Sequence, residues 1–148
     1  MEIDEKDLRI LDELKENSKR TTSRIGKKTG LPITTVHNRI KRMERQGIIK
    51  KYTIELDYPK LGKTITAYIM IHVIYMLPNG LKISQEDVAK DIKAMSGVER
   101  VEILAGGMDI LVKLHVNDVE ELNEFVIKKL RKIDGVDKTQ TLVVLNEL

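Results

Sequence analysis

Gly30-Leu31-Pro32-Ile33-Thr34-Thr35-Val36-His37-Asn38-Arg39-Ile40-Lys41-Arg42-Met43-Glu44-Arg45-Gln46-Gly47-Ile48-Ile49 is the stretch whose reading decides the fold. Taken as a helix from Ile33, it puts Val36, Ile40 and Met43 on one stripe, because residues three and four apart share a face. That stripe is the side to be buried. At about 100° per residue, Thr34, Asn38, Lys41 and Arg45 fall opposite, with His37 on one flank and Thr35, Arg39 and Arg42 on the other. An outer face that mixes short hydrogen-bonding side chains with basic ones suits a DNA major groove, where amides and hydroxyls read base edges and cations hold phosphates. A merely solvated charged face has the same composition, so the neighbours must decide.

Gly30 can close a preceding helix at φ > 0, and Leu31-Pro32 cannot easily continue it, which separates two helical segments by a sharp turn. Short helix, glycine turn, longer polar-faced helix is helix-turn-helix order. Charge agrees. Between Lys19 and Lys51 eleven basic residues face one acid, Glu44, a net of +10. Such clustering in one module is the footprint of a polyanionic partner. Thr34, Thr35, His37, Asn38 and Lys41 are therefore expected to face bases, while Arg20, Thr21, Thr22, Arg39, Arg42, Arg45 and Lys50 are expected to anchor phosphates.

The chain of 148 residues, 41% hydrophobic and 33% charged, has the makeup of a soluble globular protein of one domain or two small ones. Its net +3 conceals a split, since residues 1–51 carry +6 and residues 52–148 carry −3. The two halves face different partners. No apolar run is long enough to span a bilayer and no signal pattern opens the chain, so a cytoplasmic location without a membrane partner is expected. Zero cysteines exclude a disulfide framework or thiolate metal site, and His37, His72 and His115 have no metal-ligand spacing, so no cofactor is expected.

Asp4 reads as the N-cap of a first helix, with Asp7 at its third position and Ile3 stapled onto Leu8. Leu8, Leu11 and Leu14, joined by Ile10, supply its apolar side. Thr21 or Thr22 can cap a second helix with Ile25 and Gly26 facing inward, the glycine allowing close approach or being a tolerated defect. After Gly47 the pattern turns extended, Tyr52, Ile54 and Leu56 alternating with polar residues up to Asp57-Tyr58-Pro59. Seven extended residues reach about 23 Å, long for an arm with no local partner, so a strand pairing outside the helical domain is expected.

From Thr64 the periodicities alternate. A strand over 64–75 precedes a helix capped by Ser84 and bearing Val88, Ile92 and Met95. Strands over 98–105 and 109–116 follow, then a helix from about Asp118 with Val119, Leu122, Val126, Leu130 and Ile133 on one side, then a strand over 136–145. Strand-helix-strand twice over is a βαββαβ, ferredoxin-like arrangement. The fold expected is α+β: a three-helix, winged-type helix-turn-helix domain over 1–49, a strand arm and linker over 50–63, and a βαββαβ domain over 64–148. The first strand is apolar on both sides, with Ala67, Ile69, Ile71 and Val73 on one and Tyr68, Met70 and Ile74 on the other. Two helices cover only one face of a sheet, so stacking of two sheets in a homodimer is expected.

Across nearly its whole length the sequence resembles the Lrp/AsnC (feast/famine, leucine-responsive) family of transcription regulators, of archaeal type. The likeness rests on Ile3-Asp4 to Leu14, Gly30-Leu31, Thr35-Val36, Arg39-Ile40, Arg42-Met43-Glu44 and Gly47-Ile48-Ile49. In the second domain it rests on Gly106-Gly107-Met108-Asp109, which fits a Gly-x-x-Asp turn, and on Thr139 to Leu145. The resemblance implies DNA binding and contact with the transcription machinery, a strand arm exchanged in a dimer, assembly to tetramers or octamers, and an amino-acid effector held near the turn. Gly106, Gly107, Met108 and Asp109 would bind that effector, with Thr139 and Thr141 as further candidates. Glycine amides can take a carboxylate and Asp109 an ammonium, although Gly106-Gly107 is equally what a tight hairpin demands.

Two departures stand out. Pro32-Ile33 replaces a side-chain N-cap, leaving Ile33 to meet DNA, and Met76 to Ile83 is longer than the usual link. Some proteins resembling this family are sirohaem decarboxylases with a vestigial helix-turn-helix, an alternative in which His72 and His115 would line a haem-sized cavity. Each imidazole otherwise reads as packed or at a solvent edge.

Overall fold

The computed structural model describes residues 2–147; Met1 and Leu148, which end two of the sequence-read domains, lie outside it. The chain divides into two compact units, Met1–Glu55 and Leu56–Leu148.

The first unit contains α1 (Glu5–Glu16), α2 (Thr22–Thr29) and α3 (Ile33–Arg45). Asp4 and Asp7 exchange hydrogen bonds, each carboxylate accepting from the other's backbone N–H at 3.0–3.1 Å, so the first turn of α1 is capped at both ends of the box. Thr21 caps α2 by accepting from the Arg24 N–H, and Gly30 closes it at φ 70°. A Cβ on Gly26 would lie 2.8 Å from the Leu31 carbonyl oxygen, so this glycine lets the interhelical turn fold back on α2. Ile10, Leu14, Ile25, Val36, Ile40 and Met43 form the core, with Ile3, Leu11, Leu31 and Ile49 packed at its edge. One expectation is corrected here. Leu8 points outward at 54% exposure, because the burial face of α1 runs through Asp7, Ile10 and Leu14. The stretch from Ile48 to Leu56 forms no strand within the chain; Tyr52, Ile54 and Leu56 stay exposed along an extended run.

The second unit contains β1 (Ile65–Val73), α4 (Gln85–Lys93), β2 (Val98–Ile103), β3 (Ile110–Val116), α5 (Val119–Asn123) and β4 (Val136–Val143). The strands form one antiparallel sheet in the order β2-β3-β1-β4. Ser84 caps α4 and Asp118 caps α5, as their spacing before apolar stripes implies. Ala67, Ile69, Ile71 and Val73 pack with Ile110, Val112 and Leu114 of β3 beneath Val88, Ile92, Leu122, Phe125, Val126 and Leu130. The last helix widens to a π-helical stretch at Glu124–Lys129 and tightens at Leu130–Lys132. The wider turn brings Phe125 inward beside Val126, whereas Val119, expected on the buried side, is 70% exposed at the helix start. Tyr68, Met70 and His72 stay half-buried on the other face of the sheet.

Candidate functional site

On α3, Val36, Ile40 and Met43 are buried, and each such burial is worth about 1.5–3 kcal/mol, which fixes the helix's rotation in its unit. Thr34, His37, Asn38, Lys41 and Arg45 are consequently exposed, with Thr35 half-buried at the margin. Pro32 precedes the helix and no side chain caps it, so its first N–H groups are left to other acceptors, phosphate among them. Ile33 is exposed beside them.

The basic flank is divided in a way that sequence spacing does not show. Arg39 Nη1 lies 2.7 Å from Asp4 and 2.9 Å from Asp7, and Arg42 pairs with the other Asp7 oxygen. The Arg39 guanidinium holds the Asp4 carboxyl down to about 2. Arg20 is folded against Glu13 and Glu16, 2.7 Å from the latter, and lowers the Glu16 carboxyl in turn. Three of the expected phosphate anchors, Arg20, Arg39 and Arg42, thus serve first as struts between α1 and the following segments. Lys41 makes a 2.9 Å surface pair with Glu44, whose other oxygen accepts from the Tyr52 hydroxyl. Among the described residues, Arg24, Lys27, Arg45, Lys50 and Lys51 are exposed without an ion pair. Thr21 is exposed and Thr22 half-buried at the start of α2. Arg24, Lys27 and Lys51 belong to the basic footprint but their position escaped the helical-wheel reading of α3.

In the second unit, Gly106 (φ 143°) and Gly107 cap the hairpin between β2 and β3, closed by Leu104 N–H to the Asp109 carbonyl at 2.8 Å. Both glycines are exposed and Met108 half-buried. Asp109 is turned inward at 7% exposure. Its carboxylate accepts from the Val73 N–H at 2.7 Å, the Tyr75 hydroxyl at 3.0 Å and Gln85 Nε2 at 2.6 Å. These bonds, the Val73 N–H foremost, hold the carboxyl below its ordinary range, and the carboxylate in turn raises the Tyr75 phenol. Asp109 is therefore engaged in tying the hairpin to the end of β1 and the start of α4. Thr139 and Thr141 pair with Ile71 and Ile69 on the edge strand β4, half-buried and exposed respectively. The long link before α4 is itself a small hairpin, Leu77 N–H donating to Leu81 at 2.9 Å and Ile83 N–H to Tyr75 at 2.8 Å.

The histidines do not converge. His115 is 3% exposed, stacked on Tyr58 at 3.4 Å between ring centroids, with Thr66 at Nδ1 and Glu99 at Nε2. His72 pairs with Asp137 at 3.1 Å. The cavity beside His115 is about 180 Å³ and does not include His72, far short of a tetrapyrrole pocket. No described helix is long and apolar enough to cross a membrane.

Comparison with known proteins accounts for both units. A winged helix-turn-helix DNA-binding family matches residues 3–50, and the Lrp/AsnC ligand binding domain matches residues 66–148. The chain belongs to the Lrp/AsnC family of transcription regulators. It is 43% identical over 141 residues to an HTH-type transcriptional regulator of Pyrococcus horikoshii, covering 95% of this chain and 91% of that one. B. subtilis LrpC superposes with a TM-score of 0.84 at 27% identity, over 100% of this chain and 98% of that one. A Neisseria meningitidis transcriptional regulator, solved as a complex with L-Met, superposes at 0.88 and 24% identity over 99% and 92% of the two chains, a likeness of fold. The regulator is thus a DNA-binding helix-turn-helix unit joined to a ligand-binding βαββαβ unit.

Proposed function

We propose that this regulator reads its operator with the exposed strip of α3. Thr34, Thr35, His37, Asn38 and Lys41 face base edges, and Arg45 and Lys50, joined by Arg24, Lys27 and Lys51, hold phosphates with Thr21 and Thr22 at the helix start. The observation that carries this reading is the burial of Val36, Ile40 and Met43, which turns Asn38 and its neighbours to solvent on the opposite side. The protein acts in the cytoplasm without a catalytic step, as a homodimer or as a tetramer or octamer assembled from dimers, and its bound form meets the transcription machinery. The exposed arm around Tyr52 and Ile54 supports a second copy as its partner.

An amino acid or related metabolite modulates binding at the Gly106-Gly107-Met108 turn, whose exposed glycine amides suit a carboxylate. Thr141 is the more accessible of the two threonine candidates. The sirohaem alternative is not favoured, because His72 and His115 are held apart by separate partners.

Selection of bound fragments from a random DNA pool at two salt concentrations tests this reading. The expected result is a dyad-symmetric motif that survives the higher salt, its half-sites about one helical turn, roughly 34 Å, or a multiple apart. Binding without sequence preference that collapses with salt would leave phosphate contact only and refute base reading.

A further inference from the structure

Asp7 is fully buried, and a carboxylate in such a place needs partners. Its partners come from α3: Arg39 Nη1 at 2.9 Å and Arg42 Nη2. Asp4, the N-cap of the same helix, adds contacts to Arg39 at 2.7 and 2.8 Å. The capping box fixes both carboxylates relative to the backbone of α1, so the acids cannot follow the arginines outward. An arginine that grips a phosphate does so bidentately, and that contact carries no sequence information. Within seven residues α3 carries Arg39, Lys41, Arg42 and Arg45, enough cation to bind DNA of any sequence.

We infer that Asp4 and Asp7 are specificity-determining positioning residues: they withdraw Arg39 and Arg42 from the DNA, so that the groove is met by Thr34, His37, Asn38 and Lys41. This rests on the reading of α3 as the base-contacting helix. Discrimination is gained by keeping two cations off the phosphates, which they would hold whatever the sequence, and by locking the rotation of α3 on α1.

The test uses the full-length protein, a selected operator duplex and a scrambled duplex, with affinity measured over a fourfold range of salt. Asparagine caps a helix as well as aspartate, so the double variant Asp4→Asn/Asp7→Asn keeps one acceptor oxygen per residue for the box, removes both charges and turns the second oxygen into a donor that cannot hold a guanidinium. Freed arginines then reach phosphates. The salt slope of the variant should steepen by about one to two units, each new contact being worth about 3.5-fold in affinity over the fourfold range. The operator-to-scrambled ratio should fall. An unchanged slope and ratio in a folded variant would overturn the inference. Arg39→Gln decides independently, even if the double variant fails to fold. Its slope should match that of the unmodified protein; a slope shallower by about one unit would put Arg39 on a phosphate and overturn the clamp. If the unmodified protein itself does not separate operator from scrambled DNA, the base-reading assignment fails, while the slope comparison still judges whether the acids silence the arginines.

Discussion

Replacing Asp109 by alanine separates a structural from a ligand-binding role for the Gly-x-x-Asp turn. The carboxylate accepts from Val73 N–H, the Tyr75 hydroxyl and Gln85 Nε2 at 2.6–3.0 Å, and Val73 is fully buried. Truncation strands the Val73 N–H without an acceptor, at a cost of about 1–3 kcal/mol. The Tyr75 and Gln85 bonds are only part-buried, so water recovers much of their loss, adding roughly 0.5 kcal/mol each. The sum is about 2–4 kcal/mol. At about 4–8 °C per kcal/mol for a unit of this size, the melting temperature should fall by roughly 8–32 °C. Thermal unfolding followed by circular dichroism at one fixed protein concentration reads this, with Tyr75→Phe as a control expected to lose less than about 1 kcal/mol. If Asp109 were instead held ready for an effector ammonium, Asp109→Ala would leave the melt within about 3 °C and weaken only effector binding, which would refute the reasoning.

Other perturbations probe the same packing and charge. Gly26→Ala would drive a Cβ to 2.8 Å from the Leu31 carbonyl; despite a gain in helix propensity of roughly 1 kcal/mol it should destabilise the first unit by about 1–2 kcal/mol in denaturant melts. The folded carboxyl of Asp109 lies below its ordinary range, so the unfolded chain binds more protons in that window. Its stabilisation is complete above the unfolded value of about 3.9 and is lost as pH falls through the folded one, and Asp109→Asn should flatten that acid limb in pH-dependent melts. Arg45→Ala should weaken operator and scrambled DNA alike and make the salt slope shallower by about one unit in anisotropy titrations.

The order of elements was legible because each periodicity is local. Val36, Ile40 and Met43 announce α3 from a single wheel, and Ser84 and Asp118 announce their helices from their place before apolar stripes. What was not legible depends on residues distant in the chain. Asp7 reads as an N3 capping acid, and nothing in its surroundings says that Arg39 and Arg42, more than thirty positions later, will converge on it. Counting charge between Lys19 and Lys51 therefore overstates the cation offered to DNA, because the acids of α1 return part of it. Asp109 likewise looks like an exposed turn residue until β1 supplies the Val73 N–H that draws it inward. Phe125 was missed because a π-helical turn departs from the 3.6-residue period, and Leu8 because an acid, not a leucine, completes the inner face of α1.

The claim that α3 reads bases rests most directly on Asn38, exposed at the centre of its outer strip. Asn38→Ala would be titrated against the selected operator and against duplexes carrying each base substitution in turn. A relaxation confined to one position of each half-site, worth about 1–3 kcal/mol, is expected. A uniform loss across all sequences, with base preference intact, would contradict the assignment of this face to the groove.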